Sequence, residues 1–162
     1  MQKVIVIGCP GAGKSTFARW LHHRTGLPLC HLDRLWHKSD RTTVTREEFD
    51  AALDVVLAGD RWIIDGNYSR TLERRLAACD TVFLLDLPVE VCLAGAAARV
   101  GRPQEDLPWV ELELDPAFQE SIRTFPQQQL PHIYELLNKH PDKRIVIFRS
   151  RQEIDQYKSE TL

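Results

Sequence analysis

A chain of 162 residues is long enough for one domain with a packed core and too short for two ordinary ones. Its 43% hydrophobic and 27% charged residues are the proportions of a globular protein, with no repeat or low-complexity segment. A net charge of −2 gives no overall basic field to hold nucleic acid by its phosphates, which leaves such a partner only a local basic patch.

In chain order, Val4-Ile5-Val6-Ile7 is a run of β-branched residues, as in a strand buried on both faces. A glycine-rich turn follows, then a helix from about Lys14 to Arg24 with Phe17, Ala18 and Leu21 on one face. Gly26 stops it, and Leu27 to Asp33 reads as a second strand. Thr45 caps the next helix, with Glu48 completing a capping box, and Phe49, Ala52, Leu53, Val56 and Leu57 recur at helical spacing up to Gly59-Asp60. Trp62 to Asp65 is a short third strand, Arg70 to Ala77 a helix carrying Leu72 and Leu76, and Thr81 to Asp86 a fourth strand. Pro88 opens a helix of small residues running to about Val100.

From Gly101 to Asp115 the pattern weakens, with Pro103, Pro108 and several acidic residues marking a mobile segment or a short lid. Two helical stretches follow, around Phe118, Ile122 and Phe125 and around Ile133, Leu136 and Leu137, with Pro126 and Pro131 setting a kink or break between them. Ile145 to Phe148 is a fifth strand and Glu153 to Lys158 a closing helix. This alternation predicts an α/β fold, a parallel sheet with helices on both faces.

No run of 18 apolar residues is present to cross a membrane, and the apolar run after Met1-Gln2-Lys3 is too short for a secretory signal. Cys9, Cys30, Cys79 and Cys92 are dispersed, without the close pairs of zinc or dithiol chemistry. Reduced thiols in a cytoplasmic protein are the expectation.

Gly8-Cys9-Pro10-Gly11-Ala12-Gly13-Lys14-Ser15 satisfies the pattern G-x-x-x-x-G-K-[ST], with a strand before it and a helix after it. Its glycines let the backbone turn and approach phosphate oxygens, while loop amides and the helix dipole supply positive potential. A purine nucleoside triphosphate with magnesium is the expected ligand. Lys14 is expected to reach the β- and γ-phosphates, the Ser15 hydroxyl to ligate magnesium, and Thr16 to bond the α-phosphate. The same amides are expected to lower the pKa of Cys9. Two strand-end aspartates, Asp65 and Asp86, compete to organise the metal, and the pattern does not choose between them.

Together these residues resemble the adenylate-kinase-like P-loop kinases over nearly the whole chain. Ile63-Ile64-Asp65-Gly66 followed by Leu72 is similar to that family's third-strand segment, which implies Asp65 for magnesium, through water. Arg99-Val100-Gly101-Arg102 resembles the arginine pair that opens the lid and grips the transferring phosphates. Arg123, following Asp115, falls where another arginine serves, and Arg149-Ser150-Arg151 where the adenine loop lies. The resemblance implies a strand order of 2-3-1-4-5 and a single domain over 1–162, with an acceptor-side region at about 34–60 and a lid at about 101–116. His31 to Trp36, Trp62 to Tyr68 and Phe148 to Arg151 resemble most the bacterial subfamily labelled DNA topology modulation proteins. Trp36 and Ser69 stand where adenylate kinases carry the two arginines that clamp the acceptor phosphate; Arg34 and Arg70 lie nearby but out of register.

The expected activity is transfer of the γ-phosphoryl of ATP to a small acceptor near Asp33, Asp65 and Tyr68. Lys14, Arg99, Arg102 and Arg123 would neutralise the spreading charge, and Asp33 would be the base if the acceptor is a hydroxyl. Trp36, Trp62 and Tyr68 are expected to pack in the core or at the pocket lip, and His22-His23 on the surface. A rival reading is an ATP-binding regulatory or DNA-associated protein with little transfer. A GTPase-like switch lacks an N-K-x-D segment.

Overall fold

The computed structural model describes residues 1–161; Leu162, at the end of the expected domain, lies outside them. Five strands, β1 (Lys3–Gly8), β2 (Leu29–His31), β3 (Trp62–Asp65), β4 (Thr81–Leu85) and β5 (Arg144–Phe148), form one sheet in the order β2-β3-β1-β4-β5. Every pairing is parallel. Among the described residues, eight helices connect and cover them: α1 (Lys14–Thr25), α2 (Leu32–Trp36), α3 (Arg46–Leu57), α4 (Ser69–Ala78), α5 (Val89–Arg99), α6 (Pro116–Gln128), α7 (Leu130–Asn138) and α8 (Arg151–Glu160). Among the described residues, no helix is long and apolar enough to cross a membrane.

The central strands read as apolar runs because both faces are covered. Val4 to Ile7, Ile63, Ile64 and Val82 to Leu85 are fully buried. Phe17 of α1 packs on Phe83, Phe148 and Tyr157, tying α1 and α8 to the same sheet face. The chain runs from β1 to β2 and β3 on one side and then crosses over to β4 and β5 on the other, so the crevice beside β1 opens at the carboxyl ends of the strands. Gly8, Asp65 and Leu85 all end there.

Local chemistry explains the boundaries. Gly13 and Gly26 bracket α1 in left-handed conformations. The Thr45 side chain accepts the Glu48 amide at the start of α3, and Asp115 and Ser150 do the same for Ala117 and Glu153 at α6 and α8.

One expectation needs correction. The second strand is three residues long rather than Leu27 to Asp33. β2 is an edge strand whose partner β3 ends at Asp65, opposite His31, so the ladder stops and Leu32 turns inward to start α2. The break between α6 and α7 falls at Gln129, between Pro126 in the last turn of α6 and Pro131 in the first turn of α7.

Candidate active site

The loop after β1 is held by backbone-to-backbone packing that glycine alone permits. A Cβ on Gly11 would overlap the carbonyl oxygen of Cys92 in α5, and Gly11 also takes a φ of 83°. Gly95, one turn further along α5, meets the loop from the other side, where a Cβ would overlap the Gly11 carbonyl oxygen. Asn67, just past β3, clamps the loop's first residue with two bonds: its Oδ1 accepts the Gly8 amide at 3.0 Å and its Nδ2 donates to the Gly8 carbonyl at 2.7 Å. Arg151 of α8 donates to the Ala12 carbonyl at 2.5 Å and the Gly11 carbonyl at 3.4 Å. These contacts use up the loop's carbonyls on the outer side.

Lys14 Nζ lies across the loop, 3.0 Å from the Gly8 carbonyl oxygen and 3.2 Å from that of Cys9. Ser15 and Asp65 are both buried and line the same cavity of about 210 Å³, together with Lys14, Asp33, Tyr68 and Arg99. His31 Nδ1 holds Asp65 Oδ2 at 2.7 Å and fixes the carboxylate's orientation. Asp86, the rival strand-end carboxylate, accepts the Tyr134 hydroxyl at 2.6 Å and does not line this cavity.

Asp33, in the first turn of α2, accepts the Tyr68 hydroxyl at 2.5 Å. Burial, offset in part by this bond and reinforced by Asp106 and Asp65, raises its pKa above the ordinary carboxylate value. Tyr68 itself sits at φ 38°, a left-handed conformation uncommon for a bulky residue. Arg75 holds it there. This fully buried guanidinium donates to the carbonyls of Gly66 (3.0 Å), Asn67 and Tyr68 (3.2 Å), and to Thr71 Oγ1 (3.1 Å). Desolvation brings its pKa down to about 10, so it stays charged at neutral pH.

Arg99, at the end of α5, pairs with the buried Asp106 at 2.6 Å and lines the cavities on both sides of the loop. The irregular segment 102–115 is fastened to the opposite wall. Arg34 donates to the carbonyls of Glu105 and Leu107, and Arg41 to that of Val110 while its guanidinium lies 5.4 Å from the Trp109 ring centroid.

Of the other expected residues, Gly13, Ser15, Thr16 and Arg102 line a third cavity of about 400 Å³ on the far side of the loop, with Gly95 and Arg151. Pro10 and Gly11 line the first cavity, and Ala12 is buried behind them. Arg149 is exposed, its amide bonded to Glu153. Arg123 is not brought in: it lies on the exposed face of α6, beside Glu120 and Gln119, because the helix turns Ile122 and Phe125 into the core and Phe118 toward the cavity.

The expectation for Cys9 is overturned. Its side chain points away from the loop mouth into the core, where hydrogen bonding with Cys92 and burial both raise the thiol's pKa. Its sulfur faces the Ile122 carbonyl at 3.9 Å, an oxygen left without its helical donor because residue 126 is proline. His22 is also not simply a surface residue, since its ring meets the Leu27 carbonyl at 2.6 Å and closes the turn after α1.

Asn67, Gly95 and Arg75 were not foreseen as site residues. Arg75 had a readable signal: it falls between Leu72 and Leu76 on the buried face of α4, where a charged residue needs internal partners.

No protein-family model matches the chain, and no curated protein matches it. Similar solved structures include an unliganded sugar kinase from Janibacter sp. HTCC2649, 18% identical, with a TM-score of 0.57 over 100% of this chain and 92% of that one. A gluconokinase from Sinorhizobium meliloti 1021 is also 18% identical, with a TM-score of 0.59 over 99% of this chain and 89% of that one. Neither bears on the DNA topology modulation subfamily. Sheet order, helix placement and these neighbours agree on the P-loop kinase fold.

Proposed function

We propose that this chain is a small-molecule kinase that moves the γ-phosphoryl of ATP to a hydroxyl of a small acceptor. One observation carries the reading: the phosphate loop opens onto a cavity that also contains Asp33, Asp65 and Arg99, so donor, acceptor and charge-stabilising groups share one space. The kinase names of both structural neighbours support it.

Loop amides and Lys14 would hold the donor's phosphates, with Lys14 exchanging its two carbonyl partners for phosphate oxygens. Arg102 and Arg151, beside Thr16 on the far side of the loop, would frame the nucleotide, and the exposed Arg149 would meet it only from outside that cavity. Ser15 and Asp65 fit a magnesium ion that takes a hydroxyl, carboxylate-bound water and substrate phosphate as ligands, where it would neutralise charge on the phosphates.

On the acceptor side, Asp33 would accept the proton of the attacking hydroxyl. The acceptor oxygen then bonds to the γ-phosphorus, the bond to the bridging oxygen breaks, and ADP leaves with that electron pair. Tyr68 keeps the Asp33 carboxylate aimed, and Arg99 offsets the charge spreading over the phosphoryl oxygens.

The test is magnesium-dependent ADP release across a panel of small alcohols, with wild type and Lys14→Ala compared at matched folding. We expect the variant to lose at least about 100-fold in kcat, the loss usual for removing a transition-state charge partner. Equal turnover by both proteins refutes the proposal.

A further inference from the structure

Resting on that proposed activity, we infer that the acceptor is a hydroxylated cation, an amino sugar or amino alcohol of about monosaccharide size, rather than a nucleotide or sugar acid. The space in question is the second cavity, about 310 Å³, which shares Gly11, Asp33, Arg99 and Phe118 with the phosphate-loop cavity. It is therefore the direction from which an acceptor reaches the loop. Its volume lies at the small end of ligand pockets.

The charge of its lining is one-sided. Four carboxylates, of Asp33, Glu111, Glu113 and Asp115, face one guanidinium, Arg99, which is already committed to Asp106. Asp33 serves the reacting hydroxyl, and Asp115 caps α6 by accepting the Ala117 amide at 2.9 Å. Glu111 accepts the Trp109 indole at 2.9 Å, which sets that ring against His37 at 5.1 Å between centroids. The Trp109 ring and Phe118 supply aromatic surface in the same cavity, suited to the apolar face of a sugar or to a cation.

A second observation comes from outside the lining. Three arginines near this cavity are spent on the protein: Arg34 and Arg41 on carbonyls of segment 102–115, Arg70 on Asp50 through two bonds of 3.1 and 2.8 Å. Among the described residues that line this cavity, a phosphate or carboxylate on the acceptor would meet four carboxylates and no guanidinium outside the Arg99–Asp106 pair. An ammonium group would meet the reverse.

The experiment compares three probes of matched size, glucosamine, glucose and gluconate, at pH 7. Binding is measured by calorimetry in the presence of magnesium and a non-hydrolysable ATP analogue, and phosphorylation by ADP release with ATP. We expect glucosamine to bind at least about 10-fold more tightly than glucose, with gluconate weakest, and high salt to narrow the gap. Glu113→Gln, and separately Glu111→Gln, should cut the glucosamine-to-glucose ratio by roughly 3-fold each, the scale of one partly exposed charge pair. Equal binding of glucosamine and glucose, preference for gluconate, or no binding of any probe by protein that takes up the analogue normally would overturn the assignment. Failure to take up the analogue at all would instead remove the kinase reading, and the acceptor assignment with it.

Discussion

Replacing Gly95 by alanine pits two effects of opposite sign against each other. Gly95 lies inside α5, where alanine favours the helix by about 1 kcal/mol. The added Cβ, however, would overlap the Gly11 carbonyl oxygen and come within 3.2 Å of both the Gly11 carbonyl carbon and Arg151 Nη2. Restoring an ordinary carbon–oxygen contact of about 3.3 Å requires helix and loop to part by roughly 1 Å. The obstructing atoms are backbone and cannot rotate away, so the cost falls near the upper end of overpacking, about 3 kcal/mol. The net effect is destabilisation by about 2 kcal/mol, which for a chain of this size lowers Tm by roughly 4–8 °C. The displaced element is also the proposed phosphate loop, and a shift of about 1 Å is expected to weaken ATP binding or turnover by up to about 100-fold. Thermal unfolding and titration with magnesium–ATP measure both. Gly101→Ala is the control: a Cβ there meets nothing within 4 Å, so only the left-handed φ of 76° is penalised, by about 1 kcal/mol, with ATP binding unchanged. A Gly95→Ala protein as stable as wild type and binding ATP normally would refute the reasoning.

Two further changes probe the acceptor wall. Asp33→Asn should lower kcat by roughly 100- to 10,000-fold, the range for losing a general base, and abolish an acid limb that in wild type lies above the ordinary value of 3.8. Because the folded-state pKa is raised, the contribution of Asp33 to stability is greatest below 3.8 and is lost as pH climbs through the folded value. The asparagine protein should therefore lose that slope and be the more stable at neutral pH, as pH-dependent denaturation would reveal. Arg75→Met strips partners from three carbonyls beneath Tyr68 and should cost about 3 kcal/mol in urea unfolding. Its kcat should fall more than its ATP affinity, since the loop's own clamps are untouched; equal losses would speak against a positioning role for Arg75.

The sheet was legible because its signals are local. Each strand announces itself as an apolar run of four or five residues, and each turn carries glycine, proline or a capping side chain. β2 escaped this logic because an edge strand's length is set by where its partner ends, a fact about Asp65 and Gly66 rather than about Leu27 to Asp33. The glycine pattern likewise located the tight loop between β1 and α1 that carries Lys14. What holds that loop was not legible, because Asn67, Gly95 and Arg151 reach it from three other elements. Cys9 misled for a related reason: position on the loop said nothing of direction, and its side chain turns toward Cys92. Arg123 lies out of register, since the helical turn that buries Ile122 in the core carries the guanidinium outward.

The fastening of segment 102–115 has an evolutionary corollary. Arg34 and Arg41 take hold of main-chain oxygens at positions 105, 107 and 110, which every amino acid supplies. Most side chains along that stretch, apart from Asp106 on Arg99 and Trp109 under Arg41, are thereby released from holding it in place, and substitution there can retune the proposed acceptor cavity without loosening the segment. Diversification of substrate choice in relatives of this chain should concentrate at Glu111 and Glu113, while the two anchoring arginines stay as they are.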